Sequence, residues 1–197
     1  MRTLYGREVF DKLSEVVTPK HTAVLVVDVQ NAGQTDPTTR NAGKNRTMVV
    51  EMLPKLAAFI GKARAAGATV VWVKNVPRPG EKEGKSLGLR IPAQFTPKKG
   101  ELVVSKSGPN AFFGTGLDQT LRRRGIKTAI VTGIATEGAV DATALDAGHL
   151  DFYAIVAEGC VASFNRDLHE SALAVLGFRC DCIAANDIMA EWAKARR

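Results

Sequence analysis

Two ionisable side chains stand where apolar runs end. Asp28 closes the run from Thr22 to Val27. A carboxylate there is costly to bury without a partner, so it is either a capped or ion-paired residue or an acid–base group. Lys106 closes Leu102-Val103-Val104-Ser105. Its amine could stand in solvent or pair with Asp28 across the top of a sheet. The third place is the stretch from Val131 to Ala144, where an apolar run passes into small residues. A helix starting there offers backbone N–H groups to an anion or oxyanion, and small side chains let a substrate approach. The stretch is neither a G-x-G-x-x-G fingerprint nor a G-x-S-x-G elbow.

The three cysteines, Cys160, Cys180 and Cys182, all fall in the last quarter of the chain. An odd number argues against full disulfide pairing, and no histidine lies near Cys180 and Cys182 in sequence to complete a zinc site. They read as small apolar residues of late strands.

These places need elements to hold them. Thr22–Gln30 is a continuous β-branched run, as in a strand buried on both faces of a parallel sheet. Met48–Ala66 repeats apolar residues at helical spacing and stops at Gly67. Ala68–Val73 and Leu102–Lys106 read as further strands, with a turn-rich loop from Pro77 to Gly88 between them. Leu117–Arg124 is a helix, Thr128–Val131 a strand and Glu137–Ala147 a helix. Phe152–Val156 is a strand, Asp167–Leu176 a helix, and Cys180–Ile183 a last strand before a terminal helix. This alternation predicts one α/β domain over 1–197, with 1–20 as an N-terminal extension. The architecture is Rossmann-like and three-layered, a six-stranded, mostly parallel sheet with helices on both faces. Ligands of such sheets bind beyond the carboxyl ends of the strands.

Composition narrows the functional classes. The chain has 197 residues, 45% of them hydrophobic and 24% charged, with a net charge of +7. The basic runs Arg122–Arg124 and Lys194–Arg197 carry no interleaved aromatics, so they read as solvated helix faces and no nucleic-acid partner is expected. No apolar run is long enough to span a bilayer, and the N-terminus lacks a signal-peptide core. A cytoplasmic, membrane-free protein is expected.

Four motifs in order, each at a strand end, resemble the isochorismatase-like hydrolases, the superfamily of N-carbamoylsarcosine amidase and nicotinamidase. They are V-V-D-V-Q-N (26–31), S-K-S-G-P-N-A-F (105–112), T-G-I-A-T-E-G-A-V-D-A-T-A (132–144) and A-S-F-N-R-D-L-H-E-S-A-L (162–173). The resemblance implies an Asp–Lys–Cys triad acting on a small amide, carbamoyl or ureido compound. It assigns the base to Asp28, the partner that holds it ionised to Lys106, and the nucleophile position to residue 139. It also implies a cis peptide between Ile134 and Ala135, with the N–H groups of Ala135 and Ala139 as the oxyanion hole. Asn31, Phe112, Phe113, Glu137 and Arg90 are the substrate-binding candidates, with Arg40 and Lys74 as further loop cations. The metal-binding histidines of nicotinamidase-type members have no counterpart between Asn31 and Asn45. His169 reads as a helix-start or interface residue, and no metal or cofactor is expected. A homo-oligomer, dimer or tetramer, is implied, in which residues 77–95 could complete a neighbour's site.

Residue 139 is Ala. Alanine forms no thioester, so the chain as it stands is expected to be impaired. One explanation is an engineered Cys-to-Ala replacement. Another is a natural Cys-less member using Asp28 as an acid on a vinyl ether, and a third is a non-catalytic binding domain.

Overall fold

Six apolar runs lie side by side as one parallel sheet. The computed structural model describes residues 9–30, 44–77 and 91–195, together with the backbone of 2–4 and 7–8. A short antiparallel pair, β1 (Arg2–Leu4) and β2 (Arg7–Val9), and one helical turn, α1 (Leu13–Val16), precede the sheet. The main chain then runs β3 (Thr22–Val27), α2 (Thr47–Ala66), β4 (Thr69–Asn75), β5 (Leu102–Lys106) and α3 (Leu117–Arg123). It continues with β6 (Thr128–Ile134), a π-helical turn (Thr136–Val140), α4 (Asp141–His149) and β7 (Tyr153–Ala162). α5 (Arg166–Leu176), β8 (Asp181–Ala184) and α6 (Ala185–Lys194) complete it.

The strand order is β5-β4-β3-β6-β7-β8, and every neighbouring pair in this sheet is parallel. The chain builds outward from β3 to β5, then returns to the other side of β3. The order therefore reverses between β3 and β6, and the crevice at their carboxyl ends is where such sheets bind ligands.

The sheet has helices on both faces because each strand alternates its apolar side chains between two cores. Val24, Val26, Trp72, Ile130 and Ile155 pack with α2 and α6. Leu25, Val27, Val71, Val131 and Val156 pack with α3, α4 and α5. Every residue of β3 and β6 is buried. Burying side chains such as Leu25, Ile130 and Phe59 stabilises the fold by roughly 1.5–3 kcal/mol each. Among the described residues no helix is long and apolar enough to cross a membrane.

Glu101 fixes the edge strand that carries Lys106. Arg64 of α2 donates to its two carboxylate oxygens at 2.7 and 2.9 Å, Trp72 Nε1 of β4 donates at 2.7 Å, and the Lys98 N–H at 2.9 Å. Burial opposes ionisation of this carboxyl, but the Arg64, Trp72 and Lys98 donors outweigh it and hold it below the ordinary carboxylate range.

Several elements differ from the sequence expectation: β4 continues past Val73 to Asn75 and β6 past Val131 to Ile134. The pair β1–β2 is too short and polar to show a period. β7 runs on to Ala162 instead of stopping at Val156. It bulges there, since Val131 pairs with Val156 but Gly133 pairs with Val161, and Glu158 and Gly159 turn outward. The helix expected at Glu137–Ala147 is a π turn followed by α4, which runs to His149.

Candidate active site

Asp28 follows directly on β3 and adopts the left-handed backbone region, with φ 53°. Asp tolerates that region better than most residues, and an observed outlier of this kind points toward function. Its N–H donates to Val73 O at 2.9 Å, and its C=O accepts from Gln30 N–H at 2.9 Å. Gln30 holds the resulting turn against β4. Its side-chain amide donates to Asn75 O at 3.1 Å and accepts from Asn75 N–H at 2.7 Å, pairing like one more strand residue.

Asn75 is the register partner of Lys106. From there Lys106 Nζ reaches Asp28 Oδ2 at 2.7 Å and donates to Gly108 O at 3.0 Å. The lysine side chain is 1% exposed and the aspartate 20%, so each charge depends on the other in a largely dry setting.

The third motif arrives through a close approach of backbones. Gly133 pairs with Val27 at φ 109°, and a Cβ there would lie 2.0 Å from Val27 O. Only glycine lets β6 come that close to β3. The next peptide, Ile134–Ala135, is cis. The π turn then closes with Gly138 N–H and Val140 N–H both donating to Ala135 O, at 3.0 and 3.2 Å. Ala139 is buried with Val27, Ala111 and Phe112.

The loop after Lys106 is laid onto the start of α4. Asn110 Nδ2 donates to Ala142 O at 3.3 Å, and its Oδ1 accepts from the N–H groups of Phe112 and Phe113. Ala111 N–H donates to Thr143 Oγ1 at 3.1 Å. The Phe112 ring is buried and stacks on Phe152 at 5.8 Å, whereas Phe113 is 86% exposed. Glu137 turns its Oε1 to the hydroxyl of Ser163 at 2.8 Å, and Thr136 Oγ1 lies 2.7 Å from His169 Nδ1.

Strand ends thus bring Asp28, Lys106, Ala135 and Ala139 to one edge of the sheet. Lys74, expected in a loop, instead belongs to β4 and pairs with Ser105, because that strand continues two residues past Val73. Asn31, Arg40 and Arg90 lie outside the described residues. Sequence reasoning missed Gln30, Ser163 and Thr136 as positioning groups. Their partners lie 45, 26 and 33 residues away, a distance at which no local pattern signals a hydrogen bond.

The cysteines are all free, and burial pushes their thiols up, to about 12 for Cys160 and Cys180. Cys180 and Cys182 donate to the carbonyls of Leu176 and Leu173 in α5. His21 stacks on Phe10 and His149 ends α4. Among the described residues no three His, Cys, Asp or Glu side chains gather as metal ligands.

An isochorismatase domain model matches residues 22–185. The ureidoacrylate amidohydrolase RutB of Methylobacterium radiotolerans is 31% identical over 79% of this chain and 73% of its own length. The N-carbamoylsarcosine amidase of Thermoplasma acidophilum superposes with a TM-score of 0.69 at 25% identity, covering 83% of this chain and 96% of that one. An isochorismatase family protein of Desulfovibrio vulgaris superposes with a TM-score of 0.76 at 26% identity, over 87% of this chain and 99% of that one.

Proposed function

From the premise that this chain belongs to the isochorismatase family, we propose that it has the site of a hydrolase for a small amide, carbamoyl or ureido compound. The observation that carries this reading is the 2.7 Å Asp28–Lys106 ion pair beside the turn that bears Ala139. The amidohydrolases among its relatives support it. With a thiol at position 139, Asp28 takes the thiol proton while Lys106 balances its charge. The thiolate attacks the carbonyl carbon, and the N–H groups of Ala135 and Ala139 receive the oxyanion. Ammonia leaves with the proton returned by Asp28, and water releases the acyl group from sulfur. Asn31, Phe112, Phe113, Glu137 and Arg90 are the candidates for substrate contact in this reading. No metal takes part, and stoichiometric zinc or iron in the purified protein would overturn that point. The protein works as a homo-oligomer in the cytoplasm.

Ala139 removes the nucleophile, so the unaltered chain is catalytically impaired for this reaction. Restoring it is the test. Ala139→Cys is expected to release ammonia from a panel of ureido and carbamoyl acids, and to gain one thiol that iodoacetamide labels quickly at neutral pH. The three existing thiols should label slowly, because burial raises them. A second reading rests on Ala139 itself: a Cys-less enzyme in which Asp28 protonates a vinyl ether. Turnover of isochorismate by the unaltered chain, with no ammonia from Ala139→Cys, would replace the first reading with the second. Ligand-induced stabilisation of both forms with turnover in neither would mark a binding domain.

A further inference from the structure

We propose that the segment Ser163–His169 is a brace for the oxyanion turn, with His169 acting through Thr136 and Ser163 through Glu137 as positioning residues. The proposal deepens the amide-hydrolase reading and rests on it for its kinetic arm. It gives a role to the fourth sequence motif, which the triad leaves unused.

The turn has little to hold it from within. Gly138 and Val140 both bond to the same carbonyl, that of Ala135, and among the described residues no side chain caps the turn. The side chains of Thr136 and Glu137 instead leave it in the direction of one neighbouring segment. Thr136 Oγ1 meets His169 Nδ1 at 2.7 Å, and Glu137 Oε1 accepts from Ser163 Oγ at 2.8 Å. Glu137 Oε2 is buried and has no partner among the described residues, so the Ser163 hydroxyl anchors this carboxylate through its other oxygen.

The brace is itself tied down. Ser163 is fully buried, and its oxygen accepts the Asn165 N–H at 3.0 Å. Asn165 Oδ1 in turn caps α5 by accepting from Leu168 N–H at 3.0 Å. One serine therefore links the end of β7, the first turn of α5 and the oxyanion turn. A shift of α5 would be passed to the amides of residues 135–139.

The Thr136–His169 bond has a preferred direction. Thr136 is fully buried, and a buried hydroxyl needs an acceptor for its proton. Neutral His169 with an unprotonated Nδ1 supplies one. The charged groups facing this imidazole are Glu137 on the turn, Glu170 and Arg166 on α5, and Glu158 on β7. Burial and Arg166 disfavour the imidazolium, the three carboxylates favour it, and the balance lowers the pKa from its ordinary value. The ring is thus neutral at pH 7. Protonation would convert Nδ1 from acceptor to donor and leave the buried Thr136 proton without its acceptor, which weakens the tie.

Two measurements test the brace. Amide hydrogen exchange of the peptide spanning 134–141 is compared between the unaltered chain and the variants Thr136→Val, Thr136→Ser, His169→Ala and His169→Asn. The valine and alanine variants should exchange at least about tenfold faster in that peptide, with β3 unchanged. Serine and asparagine, which restore a hydroxyl and an acceptor near Nδ1, should recover the protection. In the Ala139→Cys background the same two disruptive variants should lower kcat about 10–100-fold with KM nearly constant. The acid limb of the kcat–pH profile should move to lower pH in His169→Asn. Unchanged exchange in Thr136→Val, or equal losses in the disruptive and restoring variants, would overturn the proposal. If Thr136→Val or His169→Ala unfolds, native-like exchange and kcat in both restoring variants still support the brace, and loss in both refutes it. If Ala139→Cys turns over nothing, the hydrolase reading fails while the exchange measurement still decides the brace.

Discussion

At the residue scale the proposed chemistry turns on two charges, Asp28 and Lys106, and on the identity of residue 139, which is Ala. Lys106 is almost fully buried and Asp28 is its 2.7 Å partner. Removing either partner of such a pair leaves an uncompensated charge away from water, and the loss outweighs what the intact pair contributes. Lys106→Ala should therefore cost about 3 kcal/mol in urea unfolding. Lys106→Met with Asp28→Asn should recover a good part of that loss. His169 provides a pH test at the same scale. Its folded pKa is lowered, chiefly by burial, so the folded state binds its proton less readily than the unfolded chain does. Its contribution is complete above its ordinary value of 6.5 and is lost as pH falls toward the depressed folded value. The midpoint of urea unfolding should decline with acidification below pH 6.5, and His169→Asn should flatten that decline. An unchanged slope would remove His169 from the account. Asp28 and Lys106 were legible as candidates because each ends an apolar run. Their pairing spans 78 residues and no spacing rule predicts it.

Elements convert those residues into a site, and the decisive one is β6. Its glycine permits contact with Val27 O, its end carries the cis peptide, and the π turn begins one residue later. Gly133→Ala combines a clash at 2.0 Å from backbone oxygen with a φ of 109° that side chains rarely adopt. It should destabilise by at least about 3 kcal/mol and reduce whatever activity Ala139→Cys shows, as urea midpoints and ammonia release would record. A neutral result would mean that β3 and β6 can separate without loss. The apolar runs of β3, β4 and β6 were readable because strands buried on both faces need no alternation. The end of β7 was not. Ala157-Glu158-Gly159 breaks its apolar run, and only pairing with β6 on one side and β8 on the other carries the strand through the bulge.

The whole molecule arranges these elements so that the order reversal between β3 and β6 lies beside Asp28 and the π-helical turn Thr136–Val140. Oligomerisation belongs to this scale. Leu168, Val175 and Phe178 remain 50%, 55% and 92% exposed, and the first two lie seven residues apart on one side of α5. Light scattering on the purified chain should give a multiple of 21.1 kDa, and a monomer at all concentrations would contradict the expected assembly. Local order in the chain determined a good deal by itself. The runs that form the sheet, the helices between them, the four motifs and the absence of a thiol at 139 are all properties of neighbouring residues. Tertiary structure decided the rest: the 2.7 Å geometry and burial of the Asp28–Lys106 pair that the motifs only implied, the anchors of Glu137 and Thr136, and the side of the sheet on which each helix lies. Those contacts join residues tens of positions apart. Their energies exist only once the sheet has closed the distance and excluded water, so no local pattern encodes them.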